Sequence, residues 1–497
     1  MTGYFLALDQ GTSSSRALLF DAHGVVRATG RCALAVRYPH PGWVEQDALE
    51  IWSSQRAAID AALAAGPAGA RDVAALGVAN QRETTLIWER AGGRPIAPAI
   101  VWQDRRTADR CRALAARGVE AEVRRKTGLR LDPYFSATKI GWILDHVAGA
   151  RARAKRGELA FGTVDAWLLW NLTAGRVHVT DVTNAARTLL FNIDTRDWDD
   201  ALLELFDVPR ALLPDVRPSA GRFGTAALAG GDIAITGVAG DQPAALLGQW
   251  CRRPGEAKNT YGTGAFVVMH TGGRRCDAKG LIAGPVCSLP GEAPAYGLEG
   301  SIFVAGALVQ WLRDGLGVIK RSEDVEALAR SVPDSGGVTI VPAFTGLGAP
   351  FWDPDARGTV LGLTRGSTAA HLARASLEAI ALRTRDVIDA MRAVVANPVT
   401  TLNVDGGAAT DDLLLQIQAD LLGMTIVRPR VTESTATGAA MLAAAGAGAL
   451  DAAALAAWRP ECESFKPQLD AAAREGRYRE WQRACARARG WAAENAP

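Results

Sequence analysis

YFLALDQGTSSSRALLF (residues 4–20) consists of two short apolar runs, YFLALD (4–9) and RALLF (16–20), joined by the polar hexapeptide QGTSSS (10–15). Runs of this length around a Gly-containing polar link read as a β-hairpin. Gly11 lets backbone amides approach an anion, and Thr12, Ser13 and Ser14 add hydroxyl donors. Asp9, at the end of a buried strand, can hold a hydrated Mg²⁺ ion. Arg16 can neutralise phosphate charge. An ordinary hairpin with a polar turn has the same composition, so the segment alone leaves both readings open.

Outward from this hairpin, strand-like and helix-like segments alternate, which indicates an α/β protein. DALEIWSSQRAAIDAALAA (47–65) has helical spacing, with Asp47 and Glu50 placed like a capping box. VAALGVA (73–79), IAITGVA (233–239), VTIVP (338–342) and TLNVD (401–405) read as buried strands. Several leave through Gly-rich loops, the usual ligand-binding place in α/β folds. A long helix is expected from Ser367, as N-cap, to Ala396, with Asn397-Pro398 as its stop. The polar stretch CRRPGEAKN (251–259) marks the expected boundary between domains 1–250 and 251–497. Each half carries a strand followed by a Gly-Thr turn, Asp9-Gln10-Gly11-Thr12 and Tyr261-Gly262-Thr263-Gly264. The parallel raises a duplication, although no fixed-period repeat is visible.

Composition narrows the function. The 497 residues carry 55 Lys+Arg and 53 Asp+Glu, a net charge of +2. Near-neutrality gives no electrostatic footprint for nucleic acid or an anionic membrane. Seven scattered cysteines without C-x-x-C speak against a disulfide scaffold or zinc site and fit a reducing, cytoplasmic setting. No signal peptide is evident, and MLAAAGAGAL (441–450) is too short to span a bilayer. Neither G-x-x-x-x-G-K-[ST] nor a strand-following G-x-G-x-x-G occurs, which removes the P-loop and dinucleotide-binding readings.

Three further segments carry chemistry. In VANQRETTLIWE (78–89), Arg82 beside Glu83 suits a polyol, whose hydroxyls donate and accept; the alternative is a surface ion pair. Trp102, in IVWQDRRT (100–107), can wall the carbon side of a small polyol or fill the core. In GVAGDQPAALLG (237–248), Asp241 can take a hydroxyl proton or cap the helix that follows.

Over nearly its whole length the chain resembles the carbohydrate kinase family that shares the actin/hexokinase-type ATPase fold. The family's signature regions stand here as YFSATKIGWILDH (134–146) and GTVLGLTRGSTAAHLARASLE (358–378). PGWVEQD (41–47), NQRETT (80–85), FGTVDAWLLW (161–170), TNAARTLLFNI (183–193), AGDQPAAL (239–246), KNTYGTG (258–264) and VPAFTGLGAPFWDPDARG (341–358) resemble its glycerol-phosphorylating members. The resemblance implies two ribonuclease H-like α/β domains flanking a deep cleft. It implies ATP-dependent phosphorylation of glycerol, the first step of its catabolism, with Mg²⁺ near Asp9 and Asp241. Arg82, Glu83, Tyr134, Asp241 and Gln242 match polyol-contacting positions, and Trp102 and Phe266 match apolar walls. Thr12, Ser13, Ser14 and Arg16 match the first phosphate loop and Thr263 the second; Gly306, Gln310, Gly407 and Asp411 match nucleotide contacts. Asp241 is the implied general base, and a homodimer or homotetramer the implied assembly.

Departures from the family pattern are few. Ser13 stands where many relatives have Thr, and keeps the hydroxyl. Asp411 stands where relatives often have Asn, and accepts but cannot donate. The loop GTAALAGGD (224–232) lacks the Arg with which some relatives bind fructose 1,6-bisphosphate, so weak inhibition by that ester is expected. LDAAAREG (469–476) differs from the acidic segment that some relatives present to a transport regulator. Two alternatives remain. One is a kinase of a pentulose or sugar acid, which NQRET and VWQDRR disfavour. The other is a non-catalytic actin-like ATP-binding protein, against which Asp9, Glu83 and Asp241 argue.

Overall fold

A computed structural model describes residues 3–228, 230–396, 399–430 and 433–493. The chain divides into two compact units. The first holds residues 1–250, 283–296 and 434–459, and the second 251–282, 297–433 and 460–497.

The first unit is built on the opening hairpin. β1 (Tyr4–Gln10) and β2 (Ser14–Phe20) pair antiparallel, as their sequence requires. With β3 (Val26–Ala33), β4 (Val73–Asn80), β5 (Ala220–Leu228) and β6 (Gly231–Gly240) they form one sheet in the order β5-β6-β4-β1-β2-β3. β4 runs parallel to both β1 and β6. Alternation along β1 divides its side chains between two cores. Leu6 and Leu8 pack with Ile51 and Ile59 of α1 (Ala48–Ala65) and with Trp167 and Leu168 of α2 (Val164–Leu172). Phe5 and Ala7 join Ala439, Ala440 and Ala443 on the other face. Burial of each Leu or Phe stabilises this arrangement by about 1.5–3 kcal/mol.

The alanine-rich segment at 441–450 begins in a helix that packs on this sheet. α3 (Ser434–Gly446) lies directly on the sheet. A Cβ on Gly77 of β4 would lie 2.0 Å from the Ala439 carbonyl oxygen, so only small residues permit this approach. Among the described residues, no helix is long and apolar enough to cross a membrane.

The second unit repeats the hairpin. β7 (Ala257–Tyr261) pairs antiparallel with β8 (Ala265–Gly272) and parallel with β9 (Thr401–Gly406). β10 (Thr425–Pro429) and β11 (Cys462–Phe465) extend the sheet beyond β9. VTIVP contributes a strand, Thr339–Val341, to a separate two-stranded sheet with Thr359–Leu361.

Three helix ends differ from expectation. The long helix spans Ala369–Arg392, and its N-cap is Thr368, not Ser367. Thr368 and His371 bond reciprocally, while the Ser367 hydroxyl accepts from Thr364 N in the preceding turn (2.9 Å). The helix ends four residues before Ala396, where the Arg392 guanidinium turns to the carbonyls of Val399 and Leu422; Asn397-Pro398 lie outside the described residues. In α1, Asp47 caps through Leu49 N (2.8 Å), but Glu50 pairs with Arg37 (2.6 Å) instead of closing a capping box.

Candidate functional site

β4 and β6 end side by side, with Gly240 opposite Asn80. Arg82 and Glu83 follow the first strand and Asp241 follows the second, so one strand pair brings them together at its carboxyl end. Arg82 Nε lies 3.0 Å from Asp241 Oδ1. A Cβ on Gly240 would meet Arg82 Cδ at 2.5 Å, so glycine is required where the arginine stem crosses the strand end. Asp241 opens the Asp241–Gly248 helix but does not cap it; the N-cap is Gly240. The carboxylate instead accepts from Gln242 N (2.8 Å) and Gln242 Nε2 (3.0 Å). Its side chain is 31% exposed against 4% for Arg82, so it is the accessible member of the pair.

Glu83 is held from several sides. Its φ is +61°, and Thr84 N donates to the Arg82 carbonyl (2.7 Å), closing a three-residue turn. Such a conformation costs about 1–3 kcal/mol and persists only where its surroundings over-determine it. The Glu83 carbonyl accepts from Ser136 Oγ and Thr85 Oγ1, both at 3.0 Å. Its carboxylate is ion-paired with Arg187, whose guanidinium lies 5.3 Å from the Tyr134 ring centre and 5.2 Å from that of Phe135.

The sequence motifs give Arg187 no role. Its signal was the placement of an arginine inside the apolar run AARTLLF, because a buried arginine must be paired. Lys139 is a second omission. Its ammonium is fully buried and donates to the carbonyls of Val101 (3.1 Å) and Tyr134 (2.9 Å). Burial pushes it down to about 8. It thereby fixes the backbone before Trp102 and at Tyr134, whose rings meet edge to face at 5.8 Å.

Asp181 is the third. Buried among donors, it accepts from Thr183 Oγ1 (2.7 Å), Ser219 Oγ (2.7 Å) and Asn184 Nδ2 (2.8 Å). Thr183 Oγ1 accepts from Gly240 N (2.9 Å), and Asn184 pairs with Asn80 (2.9 Å). One carboxylate therefore ties together the ends of β4 and β6. Burial pushes the Asp181 carboxyl up.

The first turn adjoins this site. Trp102 Nε1 donates to Thr12 Oγ1 (3.0 Å), Thr12 Oγ1 donates to Gln81 Oε1 (3.3 Å), and Gln46 Nε2 donates to the Thr12 carbonyl (2.6 Å). Asp9 is ion-paired with Arg16. Among the described residues no cluster of three acidic, His or Cys side chains could cage a metal. A single protein carboxylate, already paired with an arginine, fits a magnesium ion held chiefly by nucleotide phosphates and water.

The loop 224–232 is the hairpin between β5 and β6, with Ala229 outside the described residues. It borders a cavity of about 630 Å³ that Arg176, Arg217 and Arg222 reach from outside the loop. Arg176 donates to the carbonyls of Thr173 and Thr225, and Arg217 to that of Arg222.

The remaining candidates belong to the second unit. Phe266 is on β8. Thr263 lies in the β7–β8 turn; its carbonyl accepts from Ala307 N (3.0 Å) in the Gly306–Asp314 helix, which carries Gln310. Gly407 follows β9. Asp411 caps the Asp412–Leu422 helix through Leu414 N (2.8 Å). Its Oδ2 is buried without a partner, and burial pushes the carboxyl up to about 6.

Comparison with known proteins gives a consistent result. Residues 4–248 match the N-terminal domain of the FGGY family of carbohydrate kinases, and residues 257–447 its C-terminal domain. The chain is 56% identical over 490 residues to the glycerol kinase of Citrifermentans bemidjiense, covering 98% of this chain and 99% of that one. It is 57% identical over 495 residues to that of Thermus brockianus, with 99% of both covered. The crystal structure of Plasmodium falciparum glycerol kinase with ADP matches with a TM-score of 0.91 at 30% identity, covering 98% of each chain. Xylulose kinase from Lactobacillus acidophilus shares the fold, with a TM-score of 0.85 at 20% identity and 97% of each chain covered.

Proposed function

The chain belongs to the FGGY family of carbohydrate kinases, and from that premise we propose that it transfers the γ-phosphoryl group of ATP to glycerol, giving sn-glycerol 3-phosphate. The observation that carries this reading is the 56–57% identity to glycerol kinases over nearly the full length. Fold alone does not decide it, because the xylulose kinase has the same fold.

The first unit's geometry supports the substrate class. Arg82 and Glu83 supply donors and an acceptor to the hydroxyls, Tyr134 contacts the polyol, and Trp102 walls its carbon chain; by resemblance to the family Phe266 is a wall position too. Asp241 is the accessible carboxylate. The terminal hydroxyl oxygen attacks the γ-phosphorus, a new O–P bond forms and the bond to the β,γ-bridging oxygen breaks. ADP leaves, and the hydroxyl proton passes to Asp241. Thr12, Ser13, Ser14 and Arg16 would hold phosphate oxygens, and Thr263, Gly306, Gln310, Gly407 and Asp411 the rest of the nucleotide. Magnesium, with Asp9 and Asp241 as the protein carboxylates nearest its role, would supply charge neutralisation at the phosphates. Positioning and charge stabilisation carry most of such a transfer.

A coupled ADP-release assay over glycerol, xylulose, ribulose and gluconate tests the assignment. A site built to pair buried hydroxyls discriminates strongly against acceptors that leave groups unpaired, so kcat/KM for glycerol should far exceed the others. Equal use of a ketose or sugar acid would move the protein to another branch of the family.

A further inference from the structure

Four consecutive residues open the Ser136–His146 helix, and each bonds to a part of the chain that carries or adjoins an acceptor-site residue. Ser136 Oγ donates to the Glu83 carbonyl (3.0 Å). Ala137 N donates to the Thr188 carbonyl (2.9 Å), next to Arg187. The Thr138 and Thr107 hydroxyls share a bond of 2.8 Å, at the end of the segment that carries Trp102. Lys139 Nζ donates to the carbonyls of Val101 (3.1 Å) and Tyr134 (2.9 Å), so one ammonium joins Tyr134 to the residue before Trp102. All four residues are fully buried.

A buried ammonium is costly unless it is bonded, and a bond it donates is roughly twice as strong as a neutral one. Burial disfavours the Lys139 charge, while the carboxylates of Glu83, Asp104 and Asp132 favour it. Those carboxylates have arginine partners as well, Arg187 on Glu83, Arg106 on Asp104 (2.8 Å) and Arg105 on Asp132 (2.8 Å). Lys139 is thus one member of a larger charge network, and its direct bonds go to backbone, where they hold chain position. Through one stiff helical turn, the backbone of Glu83, the residue before Trp102 and the backbone of Tyr134 are placed relative to one another. The rings of Trp102 and Tyr134 meet edge to face at 5.8 Å.

We propose that the Ser136–Lys139 turn is a positioning element of the acceptor site, with Lys139 at its centre: it holds Glu83, Trp102 and Tyr134 at the spacing that fits a three-carbon polyol, and so sets acceptor length. This rests on the reading of the protein as a glycerol kinase. Loosening the turn lets the wall at Trp102 shift, which weakens the hold on glycerol and admits a longer chain. A displacement of about 1 Å in such a site can cost on the order of 10²-fold in rate. Binding of ATP is less affected, because the link from these residues to the first phosphate loop is the single bond from Trp102 Nε1 to Thr12 Oγ1 (3.0 Å).

The test measures kcat and KM of the full chain on glycerol and on the four-carbon polyol erythritol, with Tm beside them. Lys139→Met should raise the glycerol KM at least ~10-fold, more than it raises the KM for ATP, and should lower the glycerol-to-erythritol ratio of kcat/KM on the same scale. Ser136→Ala changes no charge and removes one bond to Glu83, so it reports position alone; its glycerol KM should rise ~3-fold or more with kcat nearly constant. Thr173→Val serves as the structural reference. It removes a buried hydroxyl bond of the same kind elsewhere in the first unit, to the Leu169 carbonyl (2.8 Å), and should lower Tm while leaving the glycerol KM and the ratio unchanged. If Lys139→Met or Ser136→Ala behaves like that reference, with a lower Tm and a flat glycerol KM, the turn is merely structural and the proposal is overturned. Where Lys139→Met does not fold, Ser136→Ala carries the test alone, and an unchanged glycerol KM there overturns it. Wild-type protein inactive on glycerol would instead overturn the underlying assignment.

Discussion

The two hairpin turns occupy the same place in their sheets and differ in how much side chains hold them. In the first unit, Gln10 faces Ser15 across the hairpin and Asn80 on the parallel neighbour; in the second, Tyr261 faces Ala265 and Gly406. The first turn has backbone support from Leu34 N to the Ser13 carbonyl (3.0 Å) and is tied further by side chains, with Gln46, Gln81 and Trp102 converging on Thr12. The second is supported by backbone. Gly262 and Thr263 carbonyls accept from Gly306 and Ala307, and Gly264 sits against the Ile302 carbonyl. The carboxylates have also moved. Asp9 is on the first hairpin strand, paired with Arg16, whereas Thr260 holds the matching place in the second, with Asp405 beside it on the parallel strand. One strand plan thus accepts two arrangements: a turn tied sideways to Trp102, Gln81 and Gln46, and a turn that seats a helix.

The largest expected break in this contrast lies in the first unit. Asp241→Asn preserves size, and its helix is capped by Gly240 in either case. The change removes proton acceptance, so kcat should fall at least ~10²-fold with little change in Tm. Steady-state kinetics retaining more than about a tenth of wild-type kcat would remove Asp241 from the role of base.

The next effect separates the turns directly. A Cβ on Gly264 would lie 2.3 Å from the Ile302 carbonyl oxygen, whereas one on Gly11 would lie 3.2 Å from that of Ser14. Gly264→Ala should cost about 1–3 kcal/mol of stability and weaken ATP binding. Gly11→Ala should cost under ~1 kcal/mol. Urea unfolding of both variants measures the difference, and equal losses would mean that the turns are built alike.

The smallest effect concerns Asp411. Its folded carboxyl is raised from 3.8 to about 6, so ionisation penalises the folded state. Stability is lost as pH rises from the unfolded value toward the folded one, and the loss is complete above about 6. Asn caps as well as Asp. Asp411→Asn should therefore gain about 1 kcal/mol at neutral pH, with the gain vanishing below the unfolded carboxyl value. Thermal melts across that range check the sign.

Local patterns were readable wherever the responsible contacts are close in sequence. The 4–20 hairpin, the strands at 73–79 and 233–239, and α1 each declare themselves through alternation, spacing or a cap. Arg82, Glu83 and Asp241 stood out because charged residues directly follow buried strands. What escaped depends on distance along the chain. Arg187 meets Glu83 across 104 residues. Lys139 bonds to carbonyls, which carry no sequence signature. Asp181 acts on Gly240 through a threonine hydroxyl. Ser367 and Thr368 are both good caps, and His371 decides between them only through a bond formed once the helix exists.

The alanine-rich helix α3 has a consequence for biosynthesis. It covers one face of a sheet whose strands are all complete by Gly240, yet it begins at Ser434. On a translating ribosome that face stays bare while nearly two hundred further residues are added, on the order of ten seconds or more at ordinary elongation rates. The first unit therefore cannot close its core in the order in which it is made. A chain released near residue 250 would present the small, flat apolar face of β1, β4 and β6 to other chains. Nascent protein of that length is the stage at which chaperone binding matters most.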